Sequence, residues 1–465
     1  MEALDKGSQL KNIGVIGGAG YVGLVTGVGL AALGHKVISM DLDRHRVDLL
    51  RQGRSAVYEQ GLEDLLAELS SRGQITFTDN PAETVQASDV LFVAVGTPSL
   101  DNGGADLSAV ITVAEQIREY ISKYTVIVVK STVPVGTLGA ITEILSHTLT
   151  EGEDFDVVSN PEFLREGTGL IDFFAPSRII VGSDSKRAKS VLREIYEPLL
   201  DGSAVVQIPW LDPDNTISYL ETDAVSAQMT KYAANAFLAT RISFINEIAG
   251  LSEKVGGNIE DIVKGLGMDP RIGSAYLQPG IGFGGPCLDK DLRALITVAG
   301  ENSYEAVMLN GVLNRNELQL REMVNKITLA VGPSLYRKRI ALLGLSFKEG
   351  TNDVRNSISI RLYRLLNDLG ASVVGHDVLA TDEVAILEPK FEVYADLPSV
   401  LNGAEVIVLL NREDIYSSID WSEVSFGPKQ PHVLDTRGIL NVRELQKLDI
   451  SYDVLGSAKS PKKLS

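Results

Sequence analysis

The sequence predicts an α/β protein that has a parallel sheet at each end and a helical segment between the two. Continuous apolar strands alternate with helical patterns over residues 12–160 and again after residue 339, which is typical of parallel sheets covered by helices on both faces. Residues 212–256 carry long helical periodicity, and helical patterns continue to about residue 331. We therefore expect domains at residues 1–210, 211–331 and 332–455, with a disordered tail at 456–465.

Length and composition limit the class of function. At 465 residues the chain is too long for one hydrophobic core. Its formal charge of −18 argues against nucleic acid or an anionic membrane as a partner. One cysteine excludes an intramolecular disulfide and suits a reducing compartment, and residues 1–12 contain no apolar signal core. These features predict a cytoplasmic protein with a small-molecule partner.

The first strand, helix and second strand have the pattern of a dinucleotide site. A strand at 12–17 precedes a helix at 24–33, and the second strand, 36–40, ends at Asp41. The turn after the first strand contains Gly18, Gly20, Tyr21, Val22 and Gly23. Glycines let a pyrophosphate approach the backbone, and the helix N-terminus offers amides and a positive dipole end. The segment therefore predicts a Rossmann-type domain.

The acidic residues after the second strand predict which dinucleotide is bound. Asp41 lies 21 residues after Gly20, where a carboxylate can accept hydrogen bonds from both ribose hydroxyls. Asp41 and Asp43 would also repel a 2′-phosphate, so the sequence favours NAD over NADP. Arg44, the next residue, keeps NADP as the alternative.

Polar side chains follow three further strands of this domain. Thr97 and Thr132 follow two apolar strands, and ligands of parallel sheets bind beyond the carboxyl ends of the strands. Glu162 and Glu166 follow the next strand and would share one face if their loop were helical. We expect these side chains at the cofactor crevice; strand-end caps and a solvated face are the alternatives.

The middle segment contains the residues best suited to covalent chemistry. Lys231 and Asn235 lie four residues apart in a helical pattern with an apolar flank, which favours an inward position. The only cysteine, Cys287, follows the glycine-rich stretch 280–285 and precedes Asp291. A lone cysteine in an intracellular enzyme is a candidate nucleophile, although free cysteines more often serve as small buried hydrophobes. We also expect the long helical segment to form the spine of a dimer.

The C-terminal part repeats the α/β pattern without repeating the glycine fingerprint. Strands are predicted at 339–344, 372–377, 406–410 and 432–437, but none is followed by a complete Gly-x-Gly-x-x-Gly motif. We therefore expect a Rossmann-like domain that binds a different ligand or a nucleotide base.

Taken together, these motifs resemble the UDP-glucose 6-dehydrogenase family, within the wider group of nucleotide-sugar dehydrogenases, over residues 12–448. The matching segments are Gly20-Tyr-Val-Gly23, Val95-Gly-Thr-Pro98, Ser131-Thr-Val-Pro134, Asn160-Pro-Glu-Phe-Leu164, Lys231-Tyr-Ala-Ala-Asn-Ala236, Gly282-Phe-Gly-Gly-Pro-Cys287 with Lys290-Asp291, and Gly344-Leu-Ser-Phe-Lys348. The family usually has serine before the cysteine and Phe-Pro after it, whereas this chain has Pro286 and Leu288-Asp289.

The chemistry of the reaction explains why a thiol is needed. Hydride transfer from a primary alcohol gives an aldehyde, and attack by a Cys287 thiolate would return it to an oxidisable thiohemiacetal. A second hydride transfer would give a thioester, which water would hydrolyse to the acid. Lys231 and Asn235 suit the developing oxyanions, and Asp291 suits the activation of water. The resemblance implies that Glu162 shares the acid–base work and that Thr132 orders the water.

The resemblance and the motifs together define three sets of predicted site residues. Catalytic roles are predicted for Cys287, Lys231, Asn235, Asp291, Glu162 and Thr132. NAD contacts are predicted for Gly18, Gly20, Tyr21, Val22, Gly23, Asp41, Thr97, Thr132, Glu166, Lys290 and Arg355. Substrate contacts are predicted for Glu162, Phe163, Leu164, Lys231, Asn235, Tyr276, Gly284, Lys348, Arg437 and, across a dimer, Arg271. No metal is expected.

Three other functions compete with oxidation of UDP-glucose. Oxidation of another nucleotide sugar, such as a UDP-N-acetyl-hexosamine, is one, but that branch usually departs from Lys-Asp after the cysteine, whereas this chain keeps Lys290-Asp291. GDP-mannose 6-dehydrogenase shares the thiol chemistry; the segment around Arg271 resembles the UDP-glucose branch, whereas Leu288 in place of phenylalanine favours the GDP-mannose branch. A sensor or scaffold that binds the cofactor without turnover is the third alternative. The joint presence of Glu162, Lys231 and Cys287 argues against it.

Overall fold

The computed structural model describes residues 10–206, 216–424 and 430–457. The chain divides into two compact units, residues 1–234 and 235–465. The predicted domain boundary at 210–211 and the tail residues 458–465 lie outside the described residues. Gly456, also assigned to the tail, donates its N–H to the Glu253 carboxylate at 2.8 Å. The division into three domains stays a prediction.

The first unit is built on an eight-stranded sheet, counted over the residues that are described. Its strands are β1 (Asn12–Ile16), β2 (Lys36–Met40), β3 (Ile75–Thr78), β4 (Val90–Val93), β5 (Thr125–Val129), β6 (Phe155–Ser159), β7 (Arg178–Gly182) and β8 (Ser218–Thr222). They lie in the order β3-β2-β1-β4-β5-β6-β7-β8. All neighbouring pairs are parallel except β6 and β7.

Helices connect these strands and cover the sheet. They are α1 (Tyr21–Ala32), α2 (Arg44–Arg51), α3 (Leu62–Ser71), α4 (Pro81–Ala87), α5 (Ser108–Tyr120), α6 (Thr137–Ser146), α7 (Gly169–Phe174) and α8 (Lys186–Leu200), followed by a 3₁₀ helix at Ser203–Val206. Alternate residues of β5 face two separate cores, since Val126 and Val128 pack in one and Ile127 and Val129 in the other. Burial of both faces accounts for the continuous apolar strands.

The second unit contains the middle helices and a six-stranded parallel sheet, again counted over described residues. A 32-residue helix, α9 (Ala224–Val255), crosses from the first unit into the second. The remaining helices are α10 (Ile259–Gly267), α11 (Leu288–Glu301), α12 (Val307–Val331), α13 (Ile358–Asp368), α14 (Thr381–Leu387), α15 (Leu397–Leu401), α16 (Asp414–Ser417) and α17 (Val442–Lys447). The strands are β9 (Arg339–Leu343), β10 (Ser372–His376), β11 (Glu392–Val393), β12 (Val406–Leu409), β13 (His432–Asp435) and β14 (Ser451–Val454).

The order of this second sheet is β11-β10-β9-β12-β13-β14, which places the first strand at its centre with crossovers to both sides. The predicted α/β class is therefore confirmed, with Rossmann-like sheets near both ends and helices between them. Among the described residues, no helix is both long enough and apolar enough to cross a membrane.

One part of the predicted helical segment is wrong. Residues 218–222 form strand β8 and pair with β7 in parallel register, from Arg178 opposite Ser218 to Gly182 opposite Thr222. The helix begins only at Ala224. Hydrogen bonding to a strand more than 30 residues away decides the structure of this short segment, and local periodicity carries no information about such a partner.

Candidate active site

The turn after β1 has the shape of a phosphate-binding loop. Gly17 has a φ of 84°, and a Cβ at Gly23 would overlap the Gly17 carbonyl oxygen. Among the described residues, no side chain caps the first turn of α1, which also contains no acidic residue. The first amides of the helix and its positive dipole end are therefore open to an anion. Gly18 and Gly20 complete this turn, and Tyr21 and Val22 are the first residues of α1.

Asp41 lies directly beside the glycine turn. Its carboxylate accepts hydrogen bonds from the Ala19 and Asp43 amides, each at 3.0 Å. Arg44 forms an ion pair with Asp79 at 2.9 Å. The half-buried carboxylate keeps lone pairs for the ribose hydroxyls, and the nearby arginine already has an acidic partner. This geometry fits NAD.

The ends of β4 and β5 bring two predicted residues together. Thr97 donates its hydroxyl hydrogen to the main-chain oxygen of Thr132 at 2.9 Å. Thr97 is buried and Thr132 is half-buried. Both lie at the carboxyl edge of the sheet that also carries Asp41, as the strand pattern predicts.

A buried ion pair follows β6. Lys231 Nζ lies 2.9 Å from Glu162 Oε1, and both side chains are less than a tenth exposed. The Leu164 amide donates to Glu162 Oε2 at 2.6 Å, and the Lys231 ammonium lies 5.4 Å from the centre of the Phe163 ring. These contacts fix the carboxylate and confirm the inward position of Lys231.

Glu162 and Glu166 do not share a helical face. Their loop is irregular, and the next helix, α7, begins only at Gly169. Pro161 disfavours helix at the residue before it, and the bond from Leu164 to Glu162 replaces a helical one. Glu166 instead lies near the hydroxyl of Tyr21, where burial, Glu59 and then Glu166 raise the tyrosine pKa.

Cys287 in the second unit precedes helix α11. The thiol belongs to an exposed residue, and the Cys287 main-chain oxygen accepts from the Asp291 amide at 2.9 Å. Asp291 is buried and accepts from Asn235 Nδ2 at 2.5 Å and from Lys290 Nζ at 2.6 Å. The structure thus groups four predicted residues, and each oxygen of the buried carboxylate has a partner.

A cavity of about 510 Å³ in the second unit is lined by Arg437. Arg412 and Gln278 also line it, and burial lowers the pKa of Arg437. The neighbouring glycine loop is close-packed: a Cβ on Gly284 would lie 2.5 Å from the Asn356 oxygen. The two arginines suit the recognition of an anionic ligand.

Four further predicted substrate or cofactor residues of the second unit do not line this cavity. Arg271 and Arg355 are exposed and pair with the carboxylates of the residues two positions before them, Asp269 and Asp353. Tyr276 has a left-handed backbone with φ of 60°. Lys348 is half-buried and follows Phe347, whose ring would touch a Cβ on Gly285.

The chain matches three family models in order along its length. They are the NAD-binding domain (residues 11–200), the central domain (225–318) and the UDP-binding domain (341–442) of the UDP-glucose/GDP-mannose dehydrogenase family. UDP-glucose 6-dehydrogenase TuaD of Bacillus subtilis is 37% identical, covering 96% of this chain and 93% of the relative. The chain belongs to the UDP-glucose/GDP-mannose dehydrogenase family. It is an NAD-dependent oxidoreductase.

Other members of the family share nearly the whole chain. UDP-glucose 6-dehydrogenase of Rhizobium meliloti is 38% identical over 94% of this chain and 98% of its own. The structure of a UDP-glucose dehydrogenase from Pyrobaculum islandicum matches with a TM-score of 0.87 at 34% identity, covering 97% of this chain and 99% of that one. The predicted family, fold class and cofactor are therefore confirmed.

Lys130 is a buried residue of this dehydrogenase to which the sequence assigned no role. Its ammonium donates to Asn160 Oδ1 at 3.1 Å and to the Tyr196 hydroxyl at 3.4 Å. Burial lowers the Lys130 pKa to about 8, with Glu162 opposing and Lys231 reinforcing the shift. In the sequence, Lys130 is recognisable only as a lysine at the end of an apolar strand. Its burial depends on the fold.

In both sheets an aspartate follows a strand, but in the second sheet its carboxylate has different hydrogen-bond partners. Asp377 follows β10 as Asp41 follows β2, but its buried carboxylate accepts four backbone amides, those of Leu345, Ser346, Leu379 and Ala380. Such a carboxylate has little capacity left for a ribose. This geometry agrees with the expectation that the C-terminal part binds a different ligand.

Gly23→Ala should weaken NAD binding, because the added Cβ would displace the Gly17 carbonyl and open the turn. We expect the Kd to rise at least tenfold, or about 1.4 kcal/mol. Gly27→Ala on the same helix is the matched control, since its Cβ would lie an ordinary 3.6 Å from Val15. Calorimetric titration measures both; equal Kd values for the two variants would contradict the assigned turn.

Lys130 should make stability depend on pH between its native and unfolded pKa values. The native pKa is lowered to about 8, so the unfolded chain binds the proton more tightly and stability rises as pH rises from about 8 towards 10.5. Lys130→Met lacks this dependence. Between pH 7 and pH 10, the unfolding free energy of the wild type should therefore rise by roughly 2 to 3 kcal/mol relative to that of the variant. Urea titrations at both pH values check this; a pH-independent difference would refute it.

Proposed function

We propose that this protein is a UDP-glucose 6-dehydrogenase that forms UDP-glucuronate by a four-electron oxidation. The observation that carries the proposal is the exposed Cys287, the only thiol of the chain, beside Asp291, Lys290 and Asn235. Relatives with this activity match more than nine-tenths of the chain at 37 and 38% identity. Together they favour oxidation to the acid over oxidation to the aldehyde alone.

The proposed reaction consumes two hydride acceptors and one water. One primary alcohol, two NAD⁺ and one water give one carboxylate, two NADH and three protons. Bound NAD supplies the hydride acceptor in both oxidations. Between them the Cys287 sulfur bonds to the aldehyde carbon, and hydrolysis of the thioester later breaks that bond and returns the thiolate.

The chain's own residues would manage the charges that arise. The N-terminus of α11 favours a thiolate at Cys287, and the acidic residues of its first turn are neutralised, Asp289 by Arg293 and Asp291 by Lys290. Lys231 would steady each oxyanion, a contribution typically worth about 3 kcal/mol. Its partner Glu162 would accept protons, and Thr132 would order the attacking water.

The remaining predicted residues would bind the two ligands. We propose that Asp41, Thr97 and the glycine turn hold NAD with Glu166, Lys290 and Arg355. The cavity beside Arg437 would receive the nucleotide, with Lys348, Tyr276 and Gly284 contacting the substrate. Location in the cytoplasm stays a prediction.

We also propose that the protein forms a homodimer through helix α9. Phe237, Phe244 and Leu251 recur at intervals of seven and are 57, 49 and 56% exposed, an apolar stripe that a second copy of the helix would cover. The resemblance implies that Arg271, which is exposed, acts across this dimer.

UDP-glucose should have the highest kcat/KM in a panel that also contains UDP-galactose, UDP-N-acetylglucosamine, dTDP-glucose and GDP-mannose. The family includes both UDP- and GDP-linked branches, so initial rates with these sugars discriminate between them. A higher kcat/KM for GDP-mannose would replace the proposed substrate with the alternative.

Phe244→Glu should convert the dimer into a monomer, because it buries a charge in the proposed apolar interface. Ile386→Glu is the matched control, since Ile386 on α14 is 82% exposed and lies outside the stripe. Sedimentation velocity measures both variants. A monomeric wild type, or a Phe244→Glu variant with the wild-type mass, would contradict the proposed interface.

A further inference from the structure

The loop that leads to Cys287 is buried without belonging to a helix or strand. Gly280, Ile281, Phe283 and Gly285 are all buried, and residues 279–284 lack regular structure. Backbone groups buried in this way need hydrogen-bond partners, because an unsatisfied one is costly. Side-chain amides supply these partners at Gly280 and Phe283.

Gly280 has both of its backbone groups paired by buried amides. Its N–H donates to Asn246 Oδ1 on α9 at 2.8 Å, and its carbonyl accepts from Gln319 Nε2 on α12 at 2.6 Å. The two amide side chains are 2% and 1% exposed. Two helices of the second unit therefore hold this one residue from both sides.

A single side-chain amide, that of Asn316, pairs with both backbone groups of Phe283, as a neighbouring strand would. The Phe283 N–H donates to Asn316 Oδ1 at 2.8 Å, and the Phe283 carbonyl accepts from Asn316 Nδ2 at 2.9 Å. Gly282 makes this approach possible, since its φ is 118° and a Cβ there would lie 2.5 Å from Asn316 Oδ1. The Asn316 side chain thus explains why residue 282 is a glycine.

Arg315 determines the orientation of the Gln319 amide. Its Nη2 donates to Gln319 Oε1 and to the Asn246 main-chain oxygen, and the guanidinium pairs with Glu322. Arginine has donors only. The Gln319 oxygen must therefore face Arg315, which leaves its Nε2 to bind the loop.

We propose that Asn246, Asn316 and Gln319 are positioning residues that set the place of the Cys287 thiol. The proposal rests on the thiol chemistry proposed above. Phe283 precedes Cys287 by four residues, and the intervening Gly285 donates its N–H to the Asn356 carbonyl at 3.0 Å. A shift at Phe283 is therefore transmitted to the thiol within one short, constrained segment. Displacing a reacting group by about 1 Å can cost roughly a hundredfold in rate.

The test uses Asn316→Leu and Gln319→Leu, which retain side-chain bulk and remove the hydrogen bonds. Asn310→Ala is the matched control, because Asn310 lies on the same helix, is exposed, and donates its amide hydrogen to the carbonyl of Ala306, the residue before α12. Three quantities are measured in full-length protein: the rate of Cys287 alkylation by iodoacetamide over a range of pH, kcat with UDP-glucose, and the Kd for NAD.

Both leucine variants should show kcat reduced between about tenfold and a hundredfold. Their alkylation rate or its pH midpoint should change, while the Kd for NAD and the behaviour of Asn310→Ala should match the wild type. If the leucine variants fold and keep the wild-type alkylation rate, pH midpoint and kcat, the proposal is overturned. Failure of both variants to fold would overturn it too, because the amides would then serve stability. Because alkylation is read without turnover, this test stays separate from the loss of acid formation that Cys287→Ala should show.

Discussion

Buried backbone outside helices and strands must find hydrogen-bond partners, and the candidate site depends on how this chain supplies them. The glycine turn after β1 binds Asp41 through the Ala19 amide, and the corresponding turn after β9 binds Asp377. The loop before Cys287 uses amides on two helices. Each irregular segment thereby acquires a defined conformation, which a reacting group requires.

Buried charged side chains also need partners. Glu162 and Lys231 pair in the first unit, while Asp291 receives Asn235 and Lys290 in the second. Lys130 adds a further cation near the first pair, where burial lowers its pKa. Such groups are costly to bury without partners, and the ion pairs and hydrogen bonds of Glu162, Lys231 and Asp291 offset that cost.

Patterns that are local in the sequence predicted most of the strands and helices and the glycine turn with Asp41. The apolar strands, the glycine turn and Asp41 are all encoded within about thirty residues, the size of one βαβ unit. Strand β8 and the amides of α12 depend on partners that are far away in the chain. The loop around Glu162 instead follows from a local hydrogen bond, from the Leu164 amide to the Glu162 carboxylate, which the spacing of the two glutamates does not reveal. An asparagine in an amphipathic helix gives no sign of the loop it binds, so Asn316 could not be identified from sequence.

The count of NADH against sugar acid tests the central claim most directly, because only a covalent acceptor lets one site remove two hydrides without releasing the aldehyde. With UDP-glucose, the wild type should form two NADH for each uronate, and an aldehyde trap should capture nothing. Cys287→Ala should bind NAD with wild-type affinity and form no acid. One NADH per sugar consumed, or undiminished acid formation by Cys287→Ala, would contradict the thioester mechanism.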